Sequence, residues 1–224
     1  MLHDLLHHWI GTWLGWVESS GYPGVIVLMA MESSIFPVPS EVVIPPAAIV
    51  AAGGGQMTIA GVIIAGTFGS WLGSAITYWV SFWIGRALVQ RWGKYVFISV
   101  EKLERAEHFM SRYEAGGIFF ARLLPVIRHL ISIPAGIIRM GFLKFSVMTV
   151  VGAAIWCSVL AWLGRNVGLH NPGLMQIPDH RLKAEALIAA IKPETKPIIL
   201  AVLGVCVLYA IAMKLTAPKS DKAQ

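Results

Sequence analysis

The stretch "MESSIFPVPSEVVIPP" (Met31–Pro46) carries two carboxylates, Glu32 and Glu41, and four prolines, Pro37, Pro39, Pro45 and Pro46, inside one of the most apolar parts of the chain. Hydrocarbon tolerates neither feature. A charge at the bilayer centre costs upward of ~2.5 kcal/mol, and non-helical backbone survives at membrane depth only when buried in protein or lining a wet cavity. The stretch therefore reads as two short half-helices joined by a proline-rich turn that dips into the membrane and returns.

Composition agrees that the setting is a membrane. Of 224 residues, 56% are hydrophobic and 13% charged, against about 25% charged in soluble domains. The net charge of +6 reads as basic residues on membrane-facing loops, since no basic stripe alternates with exposed aromatics as a nucleic-acid surface would require. Cys157 and Cys206 sit in apolar runs without metal or disulfide spacing, and His3 and His7 read as part of a wet helix face, so no metal and no cofactor are expected. The first residues lack the basic start of a signal peptide.

Working outward, residues 4–17 predict an amphipathic interfacial helix and 23–54 the first re-entrant hairpin. Residues 57–85 predict a transmembrane helix. On it Ala65, Gly69, Gly73 and Thr77 recur every four residues, a small-residue face for close helix packing within or between chains. A homo-oligomer is thus open. Residues 86–116 are polar, with an amphipathic surface helix over 99–115. The run "GGIFFARLLPVIRHLISIPAG" (116–136) again mixes short apolar pieces with charge and proline, and 117–136 reads as a second re-entrant hairpin. Residues 141–165 predict another spanning helix and 197–216 a C-terminal one.

The order is broken hairpin, long helix, broken hairpin, long helix. Each hairpin has a polar residue, a proline, another polar residue and a proline: Glu32, Pro37, Glu41, Pro45 in the first, and Arg122, Pro125, Arg128, Pro134 in the second. One spanning helix separates the hairpins, so they should enter from opposite faces as an inverted repeat. Such repeats place a substrate site near the midplane, where broken helices meet. The expected architecture is an all-α polytopic membrane protein of one domain. Acid from one hairpin and base from the other could meet there, as a structural bridge, a substrate and proton path, or both.

The segments "ESSIFPVPSE" (32–41) and "FFARLLPVIRHLISIPAG" (119–136) resemble the paired motifs of the DedA family, also called the SNARE-associated or VTT-domain family, over roughly residues 20–165. The resemblance implies bacterial inner-membrane proteins with opposed re-entrant hairpins that return undecaprenyl phosphate across the membrane, with links to proton-motive force. It matches the family's acidic positions to Glu32 and Glu41, its arginines to Arg122 and Arg128, and its hairpin prolines to Pro37, Pro39 and Pro125. Some members have Pro-Gly-Asp where this chain has Pro39-Ser40-Glu41.

The function this implies is a flippase-type transporter of a polyprenyl-phosphate carrier lipid, coupled to protons. Arg122 and Arg128 would grip phosphate through bidentate guanidinium hydrogen bonds. Glu32 and Glu41 would take up and release protons, with His129 and Ser40 as candidate relays. A phospholipid scramblase and a proton-coupled small-ion transporter are the alternatives. An enzyme is not expected, because the one deep histidine has no acid–base partner spacing and Ser40 lacks a nucleophile elbow. Basic residues number nine over 86–116 and the tail, against five on the other side, all in 165–196. The positive-inside rule then puts the C-terminus in the cytoplasm.

Overall fold

The computed structural model describes residues 2–34, 39–53, 57–85, 128 and 131–171, and individual positions between 173 and 204. Everything regular among them is helical. The expected surface helix over 99–115, most of the second hairpin and the C-terminal helix over 197–216 lie outside the described residues.

The chain opens with α1 (Leu2–Ser20). It ends at Gly21, whose φ of 60° is a left-handed conformation that favours glycine. Helix α2 (Tyr22–Glu32) starts directly after it, with Pro23 in its first turn, where a missing N–H costs nothing. A single 3₁₀ turn, Ser40–Val42, leads into α3 (Ile44–Ala52), which carries Pro45 and Pro46 in its own first turn. Both helices are far shorter than the ~20 residues a bilayer core demands.

Helix α4 (Ile59–Val80) starts on a Thr58 cap that accepts the Gly61 N–H at 3.1 Å. It runs on through a π turn, Ser81–Gly85. A short α5 (Ser132–Ile137) precedes the long α6 (Phe142–His170). Between them the Arg139 N–H bonds to Gly136 O and the Met140 N–H to Ala135 O, a Schellman-type ending with Arg139 at φ 55°. The stretch Ile59–Ile84 and helix Phe142–His170 are long and apolar enough to cross a membrane, and half of each most apolar window is buried in protein.

Helix α2 lies on α4, α3 on α6, and α4 on α6, while α5 packs on the far end of α4. The small-residue face of α4 is what admits α2. A Cβ on Gly73 would meet the Ala30 carbonyl, and one on Gly69 the Ile26 carbonyl. The face is therefore used within the chain. Leu14 and Val17 of α1 are buried in the same core as Val25, Leu28, Ile44, Ile49, Trp156 and Leu160, so the apolar stripe of α1 is turned toward protein there. Lys183 ties back to α1, donating to Glu18 at 2.9 Å.

Candidate functional site

Glu32 is the last residue of α2 and is 2% exposed. A carboxylate there faces the negative end of its own helix, so the stabilisation must come from other elements. Two supply it. The Ser40 N–H, opening the 3₁₀ turn, donates to Glu32 Oε1 at 2.8 Å. Arg128, 8% exposed, donates from Nη2 to the same oxygen and forms an ion pair with it. The same Nη2 donates to Ser40 Oγ at 2.5 Å.

Ser40 Oγ is the hub of the cluster. It accepts from Arg128 and also from Trp156 Nε1 of α6 at 3.2 Å, and lies 3.5 Å from Glu41 Oε2, to which it can donate. The Arg128 guanidinium stands 5.3 Å from the Trp156 ring centroid, within cation–π range. Acid, hydroxyl, guanidinium and indole thus come from four separate stretches of chain and converge in a water-poor interior. Such a pair strengthens as water is excluded, but each ion also loses its hydration, so the balance depends on the hydrogen bonds around it. Here Glu32 Oε2 has none among the described residues.

The structure brings together Glu32, Ser40, Glu41 and Arg128. Pro39 precedes the 3₁₀ turn in extended conformation. Pro45 packs against Gly164 of α6, where a Cβ would collide with the proline backbone. Pro134 lies within α5. Arg122, Pro37, Pro125 and His129 lie outside the described residues. Trp156 was missed from sequence because a membrane tryptophan reads first as part of an interfacial belt. Its place on the inward stripe of α6, with Gly152 and Ala153 a turn earlier, was the available signal. The Ser33–Ser70 hydroxyl pair, 2.8 Å apart and buried, was missed too. No group of three or more His, Cys, Asp or Glu able to hold a metal occurs among the described residues.

A VTT domain matches residues 38–166, more than half of the chain. Undecaprenyl phosphate transporter A of Bacillus subtilis (strain 168) is 32% identical over 204 residues, covering 91% of this chain and 94% of that protein. A protein of the same name from Staphylococcus aureus is 30% identical over 155 residues, covering 67% and 76%. An alkaline phosphatase-like protein of Lactococcus lactis subsp. cremoris is 37% identical over 159 residues, covering 66% and 71%. No solved structure matches the chain. A buried acid–arginine cluster on interrupted helices, the two apolar spans and these relatives lead to one conclusion: the chain is a membrane protein and belongs to the VTT-domain family, also called the DedA family.

Proposed function

We propose that this protein is a transporter of a polyprenyl-phosphate carrier lipid, such as undecaprenyl phosphate, in the bacterial cytoplasmic membrane, driven by protons. The observation that carries the reading is the buried Glu32–Arg128 pair, held where α2 breaks off and seated on Ser40. Two relatives are named for that lipid, which favours it over other anionic lipids.

The mechanism follows from competition for one guanidinium. With Glu32 ionised, Arg128 is occupied. A proton on Glu32 removes the charge that holds Arg128 and leaves the guanidinium to a phosphate, which it can grip with two parallel N–H donors. Release of phosphate and proton on the other side restores the pair. The lipid tail stays in hydrocarbon throughout. On this reading Arg122 is the second phosphate ligand, and Glu41, beside Ser40, is a second proton acceptor. The two hairpins form an inverted repeat of re-entrant segments, with the C-terminus in the cytoplasm.

The test is transport of undecaprenyl phosphate in proteoliposomes, with and without a pH gradient, beside vesicles carrying phosphatidylethanolamine. Carrier-lipid movement that rises with the gradient, and is lost in Glu32→Gln and Arg128→Ala, supports the reading. Equal movement of both lipids, blind to pH, overturns it in favour of a scramblase. No movement of either returns the small-ion transporter.

A further inference from the structure

Serine and threonine within helices usually turn their hydroxyls onto the carbonyl four residues back. Thr67, Ser74, Thr77 and Ser158 do so, at 2.7 to 3.0 Å. Thr149 of α6 does not. Its Oγ1 is buried without a hydrogen-bond partner among the described residues, and the residue is 0% exposed. Buried polar groups are nearly always satisfied, so an exception calls for water, an ion or a ligand.

Helix register places other hydroxyls at the level of Thr149. Tyr78 of α4 stacks on Phe145 of α6 at 4.8 Å, and Gly66 abuts Cys157, twelve residues along on each helix. The helices therefore run antiparallel, and one turn from the Tyr78–Phe145 stack places Ser74 opposite Thr149. Ser132 of α5 lies in the chain between Arg128, which reaches Glu32, and Gly136, which abuts the Tyr78 carbonyl. Ser74 and Ser132, like Thr149, are 0% exposed. Glu32 sits at the same level: its neighbour Ser33 pairs with Ser70, and the Ser33 carbonyl lies 3.5 Å from the Thr77 hydroxyl. Three helices thus each contribute a fully buried hydroxyl at the level of Glu32, and among the described residues Glu32 Oε2, like Thr149 Oγ1, has no hydrogen-bond partner.

We propose that this Ser74–Ser132–Thr149 layer holds water and is the route by which protons reach and leave Glu32. The inference rests on the transporter reading above. Water suits the layer better than the phosphate head group does. Its three side chains are neutral, so a phosphate would lose its hydration for no counter-charge. The neighbouring turn is also tight, since a Cβ on Gly136 would come within 2.8 Å of Ser81 Cβ. A water there takes the proton from the Glu32 carboxyl and passes one of its own to the next oxygen, so each oxygen regains its valence once the chain reorients. Among the described residues the ionisable groups facing Glu32 are Arg128 from the stretch before α5, Glu41 from the 3₁₀ turn and Cys157 from α6; Tyr78 is the one on α4. None belongs to the hydroxyl layer, so protons and phosphate part company at Glu32.

The experiment uses the full chain in proteoliposomes with an entrapped pH dye, measuring undecaprenyl phosphate movement at equal pH and the extra movement and proton uptake under a gradient. Thr149→Val keeps the shape and removes a hydroxyl with no partner among the described residues, so the fold should hold, with unfolding temperature as the check. It should keep equal-pH movement within about twofold and lose the gradient-driven part at least about tenfold, in a step with a cost of about 1.4 kcal/mol per decade. Thr149→Ser should restore it. An unchanged gradient response in Thr149→Val overturns the proposal, as does loss in both variants, which would mean packing alone. Wild-type movement at equal pH with no gradient response overturns the route but leaves the lipid reading standing. No wild-type movement overturns both.

Discussion

Helix α4 serves two neighbourhoods that are held together in different ways. Along Gly69, Ser70, Gly73 and Ser74 it is small and polar, and α2 lies against its backbone beside the Glu32–Arg128–Ser40 cluster. At its other end Tyr78, Trp79 and Phe82 meet Phe142 and Phe145 in a continuous set of ring contacts between 4.8 and 6.4 Å, and the Tyr78 hydroxyl donates to the Met140 carbonyl. The aromatic end depends on area and shape. It degrades gradually when a ring is trimmed. The polar centre depends on a few directional contacts around one guanidinium, each conditional on the others. Stability and transport should therefore separate along this one helix.

The largest effect should come from halving the ion pair. Arg128→Ala leaves Glu32 buried without its counter-ion, and removing one member of such a pair costs about 3–5 kcal/mol. Thermal unfolding in lipid nanodiscs should show that loss, and transport should fall to background. The double variant Glu32→Gln/Arg128→Met, with no charge left to strand, should recover most of the stability and none of the transport. A double variant as unstable as the single one would show that the centre is held by shape, like the aromatic end.

Phe145→Ala tests the other neighbourhood. The ring is fully buried between Tyr78 and Phe142, and truncating a buried phenylalanine costs about 3–5 kcal/mol in well-packed cores. Some relaxation toward lipid should keep the value near the lower end. Transport per folded molecule should stay within about twofold of wild type. A large loss of transport at unchanged stability would join the two regions into one functional unit and erase the contrast.

How much of this was readable beforehand depended on what the membrane penalises. Glu32, Glu41 and the prolines around them stood out because hydrocarbon makes charge and broken helix costly, so their presence in an apolar run had to mean something. The packing face of α4 was legible for a related reason: glycine every fourth residue gives up side-chain contacts that only a close neighbour returns. The stripe of α1 was not decidable. Leu14 and Val17 satisfy the same periodicity whether they face lipid or protein, and the structure turns them into the core. Ser33 and Ser70 were invisible as a pair, since either could have satisfied itself on its own helix. Trp156 was hidden by its residue type, which in a membrane chain points first to the interface.

Trp156→Phe gives the smallest of these effects and the sharpest division between the two modes. The substitution keeps an aromatic ring under Arg128 but removes the Nε1 donor to Ser40 Oγ. Losing one neutral hydrogen bond costs about 0.5–1.5 kcal/mol, and Ser40 Oγ keeps its bond from Arg128, so unfolding should move by no more than that. If the indole only fills space, transport should follow stability and scarcely change. If it fixes the hydroxyl on which Arg128 rests, the guanidinium loses its seat beside Glu32, and transport should fall several-fold at nearly full stability. The second outcome is expected, because Ser40 touches acid, base and α6 together. Ser40→Ala should then reproduce the transport loss, and adding it to Trp156→Phe should make little further difference, as two members of one network are not additive.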